Sequence, residues 1–489
     1  MQYTLFSMDI SAAFLKGMTY KKIAEVTGEP LRTVQFDFPA NDAWLLRQLP
    51  GMEDYDNNLE ILDLIKAMWG LKDAPRAFGM RLKVTLKECG YVQGIMDPQV
   101  WRKFKPGTPE ASSEMVMGGW LLSMLTTHID DIKGSATEKE CEILLAALKK
   151  DYGDDAKIEK TSFEHTGIQH VQDENKSTVY THQNHYVKDL SEIPTSHLDM
   201  KDLDKEVDTD THALYWSLLG GIAWLLQTRA DICPFVGFLQ RAAQKPLIRH
   251  VRLINRVLRY VRRVPSGILF RRLEHPVRLV VVADAAYKAQ PNAQECLALR
   301  GYIILLVGSN ETASKHPGGV CNVLDYVSKK FQQVTRSSFA AELRNQVEAA
   351  QVGAFFSAFM QENLVPRLTA TRLAEISDKG ESFLRAIILG DNDGVFRAVT
   401  AENPRTPTEP ALTPHVRAYR EMLDTNVIQS IGWIDNRDMV ADPLTKGKTQ
   451  RNIINVLLNF GIYILKHPAK LWPEAAVTGP RDQASLVQK

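Results

Sequence analysis

Two adjacent carboxylates, Asp130 and Asp131, follow an apolar run in LLSMLTTHIDDIKGS, with Gly134 shortly after. The stretch reads as a strand leading into a hairpin. Neighbouring strand side chains point to opposite faces, but at a tight turn both carboxylates can project from the tip. Two such groups repel unless a cation lies between them, and a divalent metal is the natural third party. A solvated turn is the competing reading, since Asp is common in turns. Partner carboxylates elsewhere decide between the two. Asp9 ends the β-prone run Thr4 to Ile10, although alone it would cap the turn that follows. Asp284 and Asp391 end the apolar runs VRLVVVAD and IILGD. Each aims a carboxylate outward from the end of a buried strand, and ordinary turn formation does not explain that happening twice. Glu342 falls in the first turns of a long helix, SSFAAELRNQVEAAQVGAFFSAF, capped by Ser337 or Ser338. Asp442 lies in the short helical segment DMVADPLTKG.

These residues must be held by more than one core. A chain of 489 residues is too long for a single one, and about three domains are expected. Hydrophobic content of 44% and charged content of 24% are those of a globular protein. The 59 basic and 58 acidic residues nearly cancel, so any attraction to a polyanion must be local. Cys89, Cys141, Cys233, Cys296 and Cys321 show no metal-type spacing, which implies free thiols and a reducing compartment. No apolar run approaches the roughly 18 to 20 residues of a membrane span, so no membrane is expected. MQYTLFSMDISAAF lacks the basic and apolar regions of a signal peptide and is expected to form a strand.

In chain order, Ile61, Leu64, Ile65 and Met68 are spaced as a helix closed by Gly70. Phe78, Leu82 and Leu86 predict a second helix, ended by Gly90. Between them GLKDAPRAF is a basic turn, with Lys72 and Arg76 as candidate nucleic-acid contacts; a plain helix connection is its other reading. Residues 172–191 are polar with β-prone patches, and 191–210 form an acidic linker. Tyr215 to Leu226 and Asp231 to Arg241 predict two mostly apolar helices. From Arg241 to Arg272 there are ten basic residues and no acidic one. Within that run Arg249, Arg252, Arg256, Arg259 and Arg263 step by three and four, which places them on one helix face. Leu247, Val251, Ile254, Leu258 and Val261 line another face. A same-sign stripe repels itself, and a phosphate backbone would relieve that. Pairing with acidic loops is the alternative. From Val277 onward the pattern predicts three strands, a helix, a strand, a helix, a strand and a terminal helix. An apolar helix from Ile453 to Leu465 and a polar tail then follow.

The motifs MDISAAFLKG, LIKAMWGLKDAPRAF, GYVQGIMDPQVW, LTTHIDDIKG, FEHTGIQHV and YWSLLGGIAWLLQTRADICPFVGFLQR stand in one order. After them come HVRLINRVLRYVRRVPSGILF, VVADAAY, YVSKKFQQVTRSSFAAELRNQ, ILGDNDGVFRAV, PHVRAYREML and GWIDNRDMVADPLTKG. In that order and spacing the chain resembles the reverse transcriptase and ribonuclease H region of copia-type LTR retrotransposon polyproteins, from about Leu5 to Gly447. The resemblance implies an α+β and α/β multidomain protein. Residues 1–160 would be an N-terminally truncated palm of antiparallel sheet and helices, lacking most of the fingers. Residues 161–275 would be a thumb or connection carrying the basic helix 247–264. Residues 276–450 would be a ribonuclease H-like domain with a mixed five-stranded sheet and flanking helices. Residues 451–489 would be a terminal helix and tail.

By the same resemblance Asp9, Asp130 and Asp131 would hold the metal ions of phosphoryl transfer, and Phe14 would select deoxynucleotides. His128 stands where the family's hairpin has Tyr, and either ring can pack against a primer strand. The family's fingers grip the triphosphate with basic residues ahead of the Asp9 strand, where this chain has eight residues. Asp284, Glu342, Asp391 and Asp442 would form a second catalytic and metal-binding set. Phosphodiester hydrolysis needs one ion to activate water and another on the leaving oxygen, and four carboxylates can hold two ions. Mg²⁺ or Mn²⁺, two per active site, would be the cofactors. An RNA template, an RNA/DNA hybrid and deoxynucleotide triphosphates would be the partners. Localisation would be cytoplasmic, in a virus-like particle, or nuclear. His415 has a bland surface reading and Asp393 no family role. Thr335, Arg336 and Ser337 offer backbone amides to a phosphate. No CCHC knuckle, HHCC zinc site or DTG motif is visible. Two other readings are a ribonuclease H whose palm only holds the hybrid, and a non-catalytic nucleic-acid-binding relic.

Overall fold

The computed structural model describes residues 3–107, 120–199, 201–287, 298–309, 317–402, 407–447 and 451–473. Cys296 and the polar tail beyond residue 473 lie outside them. Contacts divide the chain into two units, one running to Phe163 and the other from Glu164 onward.

The first unit contains β1 (Thr4–Asp9), α1 (Tyr20–Thr27), β2 (Gln35–Phe36), α2 (Ala43–Leu46), β3 (Leu62–Asp63) and α3 (Ala74–Glu88). It continues with β4 (Val92–Gln93), β5 (Val100–Phe104), β6 (Leu121–His128), β7 (Asp131–Ala136), α4 (Glu138–Tyr152) and β8 (Lys157–Lys160). Six strands form one sheet in the order β4-β5-β6-β7-β1-β8. Alternate residues of β1 are buried, so Phe6 and Met8 meet Leu125 and Ile132 beneath Phe78, Leu82 and Leu86 of α3 and Leu144 and Leu148 of α4. Each such side chain contributes roughly 1.5–3 kcal/mol relative to an exposed one. A Cβ at Gly134 would stand 2.7 Å from Leu125 Cβ, Met124 O and the Phe6 ring; the bare backbone lets β7 lie flush against that core.

The helix expected from Ile61 to Met68 is not formed. Leu62 and Asp63 pair instead with β2, and Lys66 bridges to Thr19. The apolar spacing was helical, but Leu59, Ile61 and Ile65 are exposed. Of the stripe only Leu64 packs, against Tyr20, Ala67, Ala74 and Ala77, and backbone pairing takes the segment.

Across the boundary at Phe163 and Glu164 comes a four-stranded sheet of β9 (Ser162–His165), β10 (Ile168–Gln172), β11 (Thr178–His182) and β12 (Gly267–Arg271), in the order β12-β11-β10-β9. Between β11 and β12 lie α5 (Thr209–Trp224), α6 (Cys233–Arg241) and α7 (Ile248–Arg263). These helices share a core through Tyr215, Leu219, Val236, Leu239, Val251, Ile254 and Leu258. Then follow β13 (Arg278–Ala286), β14 (Leu299–Val307), β15 (Gly319–Lys330), α8 (Ser338–Leu364), α9 (Ala370–Asp378), β16 (Ala386–Gly390), α10 (Asp393–Thr400) and α11 (Thr413–Asp424). The last elements are β17 (Ile428–Trp433), α12 (Asp442–Thr445), α13 (Asn452–Phe460), β18 (Ile462–Tyr463) and β19 (Lys470–Trp472).

β13, β14 and β15 run antiparallel, while β16 and β17 run parallel to β13. The strand order is β18-β15-β14-β13-β16-β17-β19. Leu279, Val281 and Ala283 face α8, α10 and α11. Val280 and Val282 face the opposite way, toward Leu444, Ile454 and Leu457. A strand covered on both faces must be apolar throughout, as VRLVVVA is.

Two expectations need correction. The sheet has seven strands rather than five, because β18 and β19 pair with its two outer strands. The helix expected to reach Leu465 ends at Phe460. Gly461 takes a left-handed φ of 59°, and the next two residues pair with Gly319 and Val320. Cys89, Cys141, Cys233 and Cys321 are free thiols. Among the described residues no helix is long and apolar enough to cross a membrane.

Candidate active site

Strand register builds the strongest site. β13 and β16 pair in parallel with Val282 opposite Leu389, so two residues further on Asp284 and Asp391 stand side by side. Asp284 is fully buried. Asp391 follows the last residue of β16, and Trp433 Nε1 donates to its backbone carbonyl at 2.8 Å. Glu342 arrives from α8, whose first turn is fixed by the Ser337 hydroxyl accepting from Ala340 N at 3.1 Å. Ser337 is therefore the cap, and its hydroxyl also donates to Glu409 at 2.8 Å. Asn345, one turn along, donates from Nδ2 to Asp284 O at 2.8 Å and Gly301 O at 3.0 Å, tying helix to strands. Carboxylate oxygens of Asp284, Glu342 and Asp391 all lie within 4.8 Å of one another.

Three acids so close resist ionisation together. Burial, then Asp284 and Asp391, push Glu342 well above the ordinary carboxylate range, against the Ala285 amide and Lys446. Burial and Asp284 raise Asp391 to about 6, with Lys446 opposing. Glu342 Oε1 accepts from Ala285 N at 3.0 Å, whereas its Oε2 is buried with no hydrogen-bond partner. A hard oxygen donor set with an orphaned buried oxygen fits a divalent cation.

Asp442 approaches from the other side, on α12, but is not part of the close set. Burial and Asp284 raise its carboxyl to about 7, with Lys446 opposing. Lys446 Nζ stands 2.5 Å from Asp442 Oδ1 and 3.2 Å from Asp284 Oδ1. The Thr445 hydroxyl donates to Asp284 Oδ2. Sequence reasoning passed over Lys446 and Thr445, since a lysine at the end of a short helix has an ordinary role there. The signal available was their position three and four residues after Asp442.

In the first unit β1 and β7 pair with Met8 opposite Ile132, so the next step places Asp9 beside Asp131. His128 pairs with Asp131 across the hairpin, and its turn forces Ile129 to a φ of 58°, a costly conformation for a β-branched residue. Burial, then Asp130 and Asp9, raise Asp131 above its usual range, while His128 opposes. Among the described residues these three acids do not form a set of ligand atoms all within 4.8 Å. Phe14 is half-buried in a short helical turn (Ala13–Lys16) between the main core of the unit and a small cluster around Tyr20 and Ala67. Lys72 is exposed beside α3. Arg76, in the first turn of α3, pairs with Glu29 at 2.6 Å.

The arginine stripe lies on α7. Val251, Ile254, Leu258 and Val261 are buried, while Arg249, Arg252, Arg256, Arg259 and Arg263 are exposed. Arg249 pairs with Asp204 at 2.7 Å, and Arg259 approaches Glu192 at 3.9 Å. Among the described residues Arg252, Arg256 and Arg263 have no acidic partner. Arg256, Arg259 and Arg263 border a cavity of about 390 Å³ with Phe235, Tyr260 and Arg451.

His415, on α11, lines a separate groove with Arg300, Phe331, Arg344 and Gln351. Burial and Arg344 lower its pKa. Asp393 pairs with Arg397 at 2.6 Å and Lys470 at 3.5 Å, a structural role at the start of α10. The Thr335 hydroxyl is buried without a partner.

No protein-family model matches the chain. It is 24% identical over 346 residues to a retrovirus-related Pol polyprotein from transposon RE1 of Arabidopsis thaliana, covering 70% of this chain. The match spans 22% of that polyprotein's own length. A transposon Ty5-1 protein of Saccharomyces cerevisiae is 25% identical over 313 residues, covering 61% of this chain and 94% of that protein. Among solved structures, the RNase H1 of Halobacterium salinarum aligns with 34% of this chain and 94% of its own, at 16% identity and a TM-score of 0.23. The resemblance read from the motifs is thus borne out by relatives: this chain is similar to a segment of retrotransposon Pol polyproteins.

Proposed function

We propose that the chain is the reverse transcriptase and ribonuclease H segment of a retroelement polyprotein, and that its acidic centre hydrolyses the RNA strand of an RNA/DNA hybrid. The observation that carries this is the convergence of Asp284, Glu342 and Asp391 within 4.8 Å, with one Glu342 oxygen buried and unpartnered. A divalent ion, Mg²⁺ or Mn²⁺, held by these three acids would supply water activation and neutralise charge on the scissile phosphate. The chain's own residues arrange that centre. Asp284 is pinned by Thr445 and Lys446, Glu342 is oriented by the Ala285 amide, and Asp391 is fixed through its backbone by Trp433. The free arginines of α7 would grip the phosphate backbone of the hybrid, and their hold weakens as salt rises. Asp9, Asp130 and Asp131 would serve template-directed synthesis, with Phe14 beside the incoming sugar.

A second reading, hybrid cleavage with the first unit acting only as a platform, is favoured by one observation: Asp9, Asp130 and Asp131 lack the tight convergence of the other set. One experiment separates the readings. Cleavage of an end-labelled RNA/DNA hybrid with Mg²⁺ is measured beside Asp391→Asn, and primer extension on an RNA template beside Asp130→Asn. Cleavage lost in the first variant supports the hydrolytic centre, and extension lost in the second supports the polymerase. Hybrid binding that is salt-sensitive, with no metal-dependent cleavage, would leave a binding relic.

A further inference from the structure

Lys446 is partly exposed, but its ammonium is turned inward onto two acids. Its ammonium lies 2.5 Å from Asp442 Oδ1 and 3.2 Å from Asp284 Oδ1, bridging the two acids. Its backbone is clamped. Arg451 Nη2 donates to Lys446 O at 3.2 Å, while Nη1 donates to Pro443 O at 3.0 Å and Asp231 O at 2.8 Å. The Arg451 guanidinium in turn stacks over Phe235, 4.4 Å from the ring centre. Gly301 lets the segment approach, since a Cβ there would stand 2.8 Å from Leu444 Cβ and 2.9 Å from Thr445 Cγ2.

Asp284 therefore divides its lone pairs. Oδ2 accepts the Thr445 hydroxyl and Oδ1 accepts Lys446; each oxygen keeps a site that can face the cradle completed by Glu342 and Asp391, so the ammonium, not the acceptor count, limits the ions. An ion between Asp284 and Asp442 would have to displace the ammonium or sit against it, like charge against like. We propose that this centre takes a single divalent ion, in the Asp284–Glu342–Asp391 cradle, and that Lys446 is a built-in second cation held by Asp284 and Asp442. The inference rests on the acidic cluster being a metal centre, and it replaces the expectation of two ions. Lys446 is a positioning residue: it neutralises Asp442 and fixes Asp284, and its presence sets how many ions the cluster admits.

Mn²⁺ binding to the full-length chain, counted by the loss of the free-ion paramagnetic resonance signal, tests this without reference to turnover. Counting is done in an Asp130→Asn, Asp131→Asn background, so that the first unit does not contribute. The ions belonging to this centre are those lost on adding Glu342→Gln with Asp391→Asn. One ion is expected in the parent and in Lys446→Arg, and two in Lys446→Met, with circular dichroism confirming that each variant is folded. Two ions in the parent overturn the assignment whether or not Lys446→Met folds, and so does a single ion in a folded Lys446→Met. No ion lost on removing Glu342 and Asp391 overturns the metal centre itself and the lysine's role with it.

Discussion

Asp391→Asn should make the metal-free protein more stable at pH 8 while removing the metal response of the unit that carries it. The carboxyl is raised from its ordinary 3.8 to about 6 by burial and by Asp284, with Lys446 opposing; Glu342 and Asp442 also face it. An acid whose folded pKa is raised favours folding fully below its unfolded pKa, and that stability is lost as pH rises through the folded value. At about 1.4 kcal/mol per pH unit, keeping Asp391 ionised costs at most about 3 kcal/mol, and roughly 1–2 kcal/mol once water reaching the site is allowed for. Asparagine keeps the shape and removes the charge. The apparent melting temperature of the unit from Glu164 onward should therefore rise by roughly 2–5 °C at pH 8 and by little at pH 4. In the Asp130→Asn, Asp131→Asn background, adding Mn²⁺ at pH 8 should stabilise this unit, and the further Asp391→Asn change should remove that stabilisation. Thermal unfolding by circular dichroism across that pH range is the assay. A gain of equal size at pH 4 and pH 8 would mean the effect is packing, and no gain at pH 8 would mean the three acids are not mutually strained.

Gly301→Ala should cost roughly 1–3 kcal/mol by overpacking and should slow hybrid cleavage, because the new Cβ pushes Thr445 away from Asp284; unchanged cleavage would argue against that contact. Arg252→Gln, Arg256→Gln and Arg263→Gln together should weaken hybrid binding and reduce the salt slope of log K by roughly 2–3, about 0.9 per lost phosphate contact. Titrations at several salt concentrations measure it, and a parallel line of the original slope would put the phosphates elsewhere. Asp130→Asn should remove primer extension and leave hybrid cleavage intact, and loss of both activities would refute separate sites.

The second acidic centre was largely legible in the sequence because its positioning elements carry unambiguous patterns. VRLVVVAD and IILGD are continuous apolar runs ending in a carboxylate, the mark of strands covered on both faces. The arginine stripe was equally plain, since α7 has its charges at three- and four-residue steps. Four apolar residues at helical spacing between Ile61 and Met68 misled, because periodicity counts without knowing whether a core faces it. The strands Ile462–Tyr463 and Lys470–Trp472 are too short to carry any period at all. Lys446 was illegible for a different reason. Its role comes from Asp284, 162 positions earlier in the chain, and only the folded sheet brings the two together.

The two outermost strands of the seven-stranded sheet, Ile462–Tyr463 and Lys470–Trp472, come from neighbouring stretches of chain yet lie on opposite rims. During synthesis the inner strands leave the ribosome first and wait with both rims bare until the closing stretch is made. Every nascent copy therefore carries two open templates for strand addition, and polysomes hold many such copies close together. A nonsense codon just after Gly447 would keep Asp284, Glu342, Asp391 and Asp442 but remove both outer strands. Such a gene would still encode the acidic cluster, but on a sheet whose two rims both stay open to strand addition.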